Sequence, residues 1–235
     1  MPSRIAFVTG ATEGIGRAIA FELGRAGYAV GVCARTATKL TALVDELRDA
    51  GIRAAGRPAD VANPEEVLAA VRHTVISLGP IDTLINNAGI LIGKPLEEMT
   101  VEEWDRTFAT NVRGIFLVTK AVLPDMKARG RGDIVNIASL AGKNGVKDAA
   151  AYSASKHAVL GFSRSLLLEV RPHGIRVIAI CPGSVDTPLI RNQTVMNPKL
   201  DRILKPEQVA QSVAHALALP AGATVSELDI RPSNP

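Results

Sequence analysis

The sequence predicts an α/β protein built on a parallel sheet, and three observations carry that expectation. Short apolar runs of strand length alternate with longer segments of helical period from one end of the 235-residue chain to the other. Hydrophobic residues make up 47% of the chain and charged residues 21%, the balance of a folded globular protein rather than a disordered or fibrous one. At this length one core buries roughly 70% of the surface that the unfolded chain exposes, so neither disulfides nor a metal are needed as staples. One domain over residues 1–235 is therefore expected.

The first strand is expected at Ile5–Val8, followed by a helix with the apolar stripe Ile15, Ile19 and Leu23. A second strand, Ala29–Cys33, leads into the stripe Leu40, Leu43, Val44 and Leu47. After a third strand at Ala54–Arg57 comes a helix with Val67, Val71 and Val75 on one face; Asn63 is its N-cap, Pro64 its first residue, and Glu66 closes a capping-box-like pair. Thr83–Ile85 is the fourth strand, and the next helix opens from Thr100 to Glu103 in the same way. Strands at Ile134–Ile137 and Val177–Ile180 and a short one at Leu228–Ile230 complete the set. Asp186 to Lys205 lacks a clear period and contains Pro188, Asn192, Asn197 and Pro198; a loop that long is usually functional.

Several classes are disfavoured. The apolar stretch before Thr9 and Gly10 is too short for a signal peptide, and charges, Gly or Pro interrupt every run long before the roughly 20 apolar residues of a membrane span. Cys33 and Cys181 lie in separate apolar runs, which suits buried thiols in a reducing, cytoplasmic setting, and no zinc-type Cys/His cluster exists, so no metal is expected. The net charge of +4 is spread without a basic block and only 3% of residues are aromatic, which argues against nucleic acid as a partner.

The run Thr9-Gly10-Ala11-Thr12-Glu13-Gly14-Ile15-Gly16 joins the first strand to the first helix. Glycines at those spacings let the backbone turn sharply and approach a pyrophosphate, which then faces the unpaired N–H groups at the helix start. At the end of the second strand, where a carboxylate would bind a ribose 2′-hydroxyl, the chain has Ala34 and Arg35. Arg35 suits a 2′-phosphate and so favours NADP; against this stand a solvated arginine opening the next helix and the nearby acid Glu13.

Tyr152 and Lys156 share a helical face at i, i+4 in Tyr152-Ser153-Ala154-Ser155-Lys156. Carbonyl reduction needs a proton donor at the developing alkoxide, and the reverse reaction needs a base. A free phenol, with its pKa near ~10, is too weak an acid to serve as one at neutral pH. A neighbouring ammonium supplies on the order of 4 kcal/mol at contact, roughly three pKa units before desolvation opposes it. Ser139 after the fifth strand and Asn111 in the fourth helix add polar groups that could converge at the carboxyl edge of the sheet.

Together these residues resemble the short-chain dehydrogenase/reductase family over essentially the whole chain. The matching pieces are TGATEGIG at 9–16, Asp60-Val61, Asn86-Asn87-Ala88-Gly89, Asn111, Ser139, the YSASK run at 152–156, and Pro182-Gly183-Ser184-Val185-Asp186-Thr187. The resemblance implies a single Rossmann-type, doubly wound parallel sheet in strand order 3-2-1-4-5-6-7 with helices on both faces. It implies Tyr152 as acid/base, Lys156 lowering its pKa and holding the nicotinamide ribose, Ser139 bonding the substrate oxygen, and Asn111 positioning a water. For the cofactor it implies contacts from Gly10, Thr12, Glu13, Gly14, Ile15, Gly16, Arg35, Asp60, Val61, Asn87, Ala88, Gly89, Tyr152, Lys156, Pro182, Gly183, Val185 and Thr187. Val185 and Thr187 would hold the carboxamide and Asp60 would meet the adenine; alternatively, Asn87 ties strands together and Asp60 acts as a turn residue.

The leading functional reading is an NADP-dependent oxidoreductase that moves a hydride between nicotinamide and a ketone or secondary alcohol, with a substrate lid around 186–205. Leu189, Ile190, Val195, Met196 and Leu200 beside Arg191, Asn192 and Lys199 suit a moderately apolar substrate. A second reading is reduction of 3-oxoacyl groups on an acyl carrier protein, with Arg129, Arg131 and Arg171 as the basic surface for the carrier. The third is a dinucleotide-binding sensor or scaffold without turnover. The resemblance also implies a homotetramer or dimer built through helices Glu103–Met126 and Tyr152–Val170.

Overall fold

The computed structural model of the chain describes residues 3–193, 200–220 and 222–233. Seven strands form one sheet in the order β3-β2-β1-β4-β5-β6-β7, every pairing parallel. They are β1 Ile5–Thr9, β2 Ala29–Cys33, β3 Ala54–Gly56, β4 Thr83–Asn86, β5 Gly132–Ile137, β6 Ile175–Pro182 and β7 Glu227–Ile230. Because β1 and β2 are buried at every residue, they read as unbroken apolar runs, as strands covered on both faces do.

Alternation along each strand sends side chains to two cores. Ala6, Val8, Val30 and Val32 pack with Ile19, Leu23, Leu43 and Leu47 from α1 (Gly14–Arg25) and α2 (Ala37–Asp49) and with Val209 and Val213 from α8 (Pro206–Ala218). Ile5, Phe7, Leu84 and Ile134 point the other way, to α3 (Pro64–Leu78), α5 (Gly114–Arg129) and α6 (Ala150–Val170). Strand order reverses between β1 and β4, so the connections after these two strands diverge and leave a crevice at their carboxyl ends.

Three expectations need correction. The third strand ends at Gly56, one residue short of Arg57. Val75 is 42% exposed, and the polar Thr74, bonded to the carbonyl of Ala70, takes the inward position in α3. The helix expected over Glu103–Met126 is two, α4 (Val101–Phe108) and α5, joined by a π-helical turn at Ala109–Arg113; one extra residue in a turn leaves no mark in an apolar period.

The amino ends of the strands are tied by ion pairs. Asp133 is held by Arg176 at 2.6 Å and by Arg4, and Asp82 by Arg129 at 2.7 Å. Arg129 also pairs with Asp125 and bonds the carbonyl of Ile81, leaving its side chain 19% exposed. Arg129, Arg131 and Arg171 stand just before β5 and β6, at the opposite edge of the sheet from the crevice.

Candidate active site

The crevice is a cleft of about 520 Å³. Its lining includes every expected catalytic and cofactor-contact residue except Gly16 and Asn111. Arg35 follows β2 and Ser139 follows β5, three strand steps apart in the sheet, or about 14 Å at the usual strand spacing, so the cleft is long enough for an extended dinucleotide.

The glycine turn divides its labour. Gly14 has φ +57°, and a Cβ there would come within 3.0 Å of Thr187 Cγ2, filling the gap between the turn and the segment after β6. Gly16 does not reach the cleft: a Cβ there would lie 2.4 Å from Asn87 Nδ2 and 2.5 Å from the Gly10 carbonyl. Asn87 in turn donates from Nδ2 to the carbonyls of Thr9 at 2.9 Å and Gly10 at 3.0 Å, tying the end of β4 to the end of β1 while it lines the cleft. Asp60 similarly combines two positions: it lines the cleft, and its carboxylate accepts from Ala62 N–H at 2.9 Å. Glu66 pairs reciprocally with Asn63, accepting from its Nδ2 at 3.0 Å and donating its N–H to Asn63 Oδ1 at 3.3 Å, and its other carboxylate oxygen accepts the Asp60 N–H at 2.7 Å, so it also holds the turn that presents Asp60 and Val61.

At one end of the cleft, Arg35 and Thr36 lead into α2, whose first turn has no acidic residue and whose N-cap Thr36 makes no side-chain capping bond. Lys39, one turn on, lines the cleft and pairs with Glu13 at 3.2 Å, so the acid that opposed a phosphate is neutralised by a lysine that the sequence reading missed. Arg106, on α4, also lines the cleft and was not foreseen.

At the reacting end, Tyr152 lies in the first turn of α6, and Lys156 one turn later, 5% exposed, has Nζ 5.6 Å from the Tyr152 ring centroid. Lys156 donates to the carbonyl of Ile137 at 2.8 Å, and desolvation lowers its pKa to about 8. Burial raises the Tyr152 phenol above its ordinary range, with the Ser139 hydroxyl pulling the other way. Against the expected lowering by Lys156, desolvation is the largest effect on the phenol, and the ammonium bonds a main-chain carbonyl. Ser139 caps a short 3₁₀ turn, accepting the Ala141 N–H at 3.0 Å. Asn111, fully buried in the π-helical turn, bonds both main-chain groups of Ile90 and donates to Ser155 Oγ at 3.0 Å, while Ser155 donates to the carbonyl of Tyr152. Its side chain therefore braces the loop after β4 against the start of α6 and does not enter the cleft.

After β6, Pro182, Gly183, Val185 and Thr187 line the cleft, and Thr187 donates to the carbonyl of Val185 at 3.2 Å. Asp186, its side chain 6% exposed, accepts two bonds from Arg191 at 2.6 and 3.0 Å and one from Lys205 at 2.8 Å; the two cations hold its carboxyl far below the usual range. Leu204 returns to the same place, bridging Val185 and exchanging main-chain bonds with Ser184 and Asp186. Of the expected lid, Val195, Met196 and Lys199 lie outside the described residues. Among the described residues, no helix is long and apolar enough to cross a membrane, and no group of three or more His, Cys, Asp or Glu is placed to hold a metal.

A doubly wound sheet with a glycine turn after its first strand and a Ser-Tyr-Lys set at the carboxyl edge defines a dinucleotide-dependent oxidoreductase. The short-chain dehydrogenase family model matches residues 4–197, and the chain belongs to that family. It is 42% identical to a protein of Streptomyces coelicolor named as a ketoacyl reductase, over 96% of this chain and 94% of that one. Among solved structures it resembles an actinorhodin polyketide ketoreductase with NADPH, with TM-score 0.92 and 41% identity over 98% of this chain and 96% of that one. It also resembles a 3-ketoacyl-(acyl-carrier-protein) reductase from Brucella melitensis complexed with NADH, with TM-score 0.90 and 30% identity over 97% and 96%. The chain is an NAD(P)-dependent oxidoreductase acting on C=O and CH–OH groups.

Proposed function

We propose that this chain reduces an apolar ketone with NADPH, Tyr152 serving as the proton donor. The observation that carries the reading is the placement of Tyr152, Ser139 and Lys156 in the same cleft as Gly14, Arg35 and Lys39. The dinucleotide, when bound, supplies the hydride. Arg35, Lys39 and the uncapped start of α2 offer positive charge where a 2′-phosphate would lie, which supports NADP over NAD. Gly14 would leave room for the pyrophosphate, and Val185 and Thr187, which line the same cleft, would hold the carboxamide.

With its pKa raised, Tyr152 holds its proton at neutral pH and can deliver it to the carbonyl oxygen as the alkoxide develops. Ser139 bonds the same oxygen and fixes its position. Lys156, charged below about pH 8, stabilises the phenolate left behind. Asn111 holds the loop and helix that present these groups. Leu91, Leu189 and Ile190 line the cleft and pack with Tyr152, which supports an apolar substrate. Tyr152→Phe tests the reading: turnover should fall at least a thousandfold while NADPH affinity stays within about threefold. Retained turnover would refute it.

The names of the relatives favour a second reading, reduction of a 3-oxoacyl thioester. Docking of a carrier through Arg129 would not serve it, because that guanidinium is bound to Asp82 and Asp125 at the far edge of the sheet. We further propose one domain over residues 1–235 and a homo-oligomer, since Trp104, Phe116 and Leu168 leave apolar surface exposed on α4, α5 and α6. Sedimentation as a 24.7 kDa species would refute the assembly.

A further inference from the structure

We infer that Gln193 sets how large a substrate the pocket admits, a role that rests on the ketone-reductase reading above. Three segments surround Tyr152: the loop after β4, the stretch before α6, and α7 (Pro188–Arg191) with the residues that follow it. Their apolar side chains already pack on one another, with Leu91 only 6% and Ile190 9% exposed. A substrate larger than the gap they leave must therefore push the segments apart, and what resists this is the way they are tied.

On one side the tie is main chain to main chain: Lys94 N–H donates to the carbonyl of Asp148 at 2.7 Å, and the Lys94 ammonium is anchored on both carboxylate oxygens of Glu103 at 2.8 and 2.9 Å. On the other side the hydrogen bonds between the loop after β4 and the α7 segment are, among the described residues, all made by one side chain. Gln193 donates from Nε2 to the carbonyls of Leu91 at 3.0 Å and Leu189 at 3.2 Å, and its Oε1 accepts the Gly93 N–H at 3.2 Å. Gln193 itself lines the cleft. Only a planar group with both donor and acceptor satisfies all three partners; a carboxylate in its place loses both donations and sets negative charge against two carbonyl oxygens. With this strap in place the pocket takes a compact apolar ketone, and an extended 3-oxoacyl chain must break it.

The test uses Gln193→Ala and Gln193→Glu in the full chain, with cyclohexanone as the compact ketone and a long-chain 3-oxoacyl thioester of N-acetylcysteamine as the extended one. The ratio of kcat/KM for the thioester to that for cyclohexanone should rise by at least about tenfold in both variants, because two or three neutral hydrogen bonds are lost. The KM for NADPH should stay unchanged. A ratio within twofold of the parent in both variants overturns the inference. Amide exchange gives a readout that needs no substrate: Gly93 should be protected in the parent and exchange at least tenfold faster in Gln193→Ala. Equal exchange overturns the strap whichever ketone is turned over. Failure of the reductase reading shows separately, as parent enzyme inactive on both ketones while Gly93 protection still depends on Gln193.

Discussion

Gly14 and Gly16 sit two residues apart in one turn, yet replacing each with alanine should damage different properties. At Gly16 the added methyl falls 2.4 Å from Asn87 Nδ2 and 2.5 Å from the Gly10 carbonyl, so the Asn87 amide must move. Overpacking of this kind costs about 1–3 kcal/mol, and the two bonds that Asn87 makes to Thr9 and Gly10 add about 1 kcal/mol each. The sum, about 3–5 kcal/mol, corresponds to a Tm lowered by roughly 6–20 °C for a chain of this size. At Gly14 the backbone at φ +57° penalises alanine by about 1–2 kcal/mol, and the methyl meets only the Thr187 side chain at 3.0 Å. The Tm should then drop by only about 2–8 °C. The methyl of Gly14→Ala does, however, stand in the cleft, so the stabilisation that NADPH gives the native state should shrink by at least 1.4 kcal/mol, a tenfold weaker affinity of about that order. Thermal unfolding of the parent and both variants, with and without NADPH, reads all three quantities. A Gly14→Ala protein that binds NADPH like the parent, or a Gly16→Ala protein with an unchanged Tm, would refute the division of roles.

Arg35→Ala should remove most of the thermal stabilisation by NADPH while leaving that by NADH unchanged, and Glu13→Gln, by releasing Lys39, should strengthen NADPH binding about fivefold at low salt. Lys156→Met should abolish turnover, and comparing its urea stability with that of the parent isolates the cost of burying the ammonium. Because the folded pKa of about 8 lies below the unfolded value of 10.5, the unfolded chain binds more protons between them, so the parent should gain up to about 3 kcal/mol relative to the variant as pH rises from 8 to 10.5. Burial pushes the thiols of Cys33 and Cys181 up to about 12 and about 11, so a thiol reagent at neutral pH should label neither in the native protein and both after unfolding.

Much of this molecule is readable from its sequence because its strands are buried on both faces and its helices on one, so that apolar period reports element type directly. The same logic fails where a residue answers to two demands. Glu66 pairs with its N-cap Asn63 as the sequence predicts, but its carboxylate also serves the turn at Asp60 six residues earlier, a partner set by the path of the chain after β3. Lys39 was within reach, being i+4 from Arg35, whereas Arg106 and Gln193 belong to the cleft only because α4 and the segment after β6 fold over it. The environment of Lys156 was likewise invisible: spacing brings it near Tyr152, but the carbonyl it bonds comes from β5.

The Asp186 anchor bears on how this scaffold can be altered. Chain leaves the body at Val185 and Asp186 and comes back at Leu204 and Lys205, and both points are fastened to one another and to the same carboxylate. Neither Thr187 nor α8 therefore needs to shift when the chain between Gln193 and Leu204 changes in length or composition, provided the Gln193 bonds to Leu91 and Gly93 are kept. Segments from relatives could be grafted between Gln193 and Leu204 as interchangeable cassettes, with Asp186, Arg191, Gln193 and Lys205 kept as the socket.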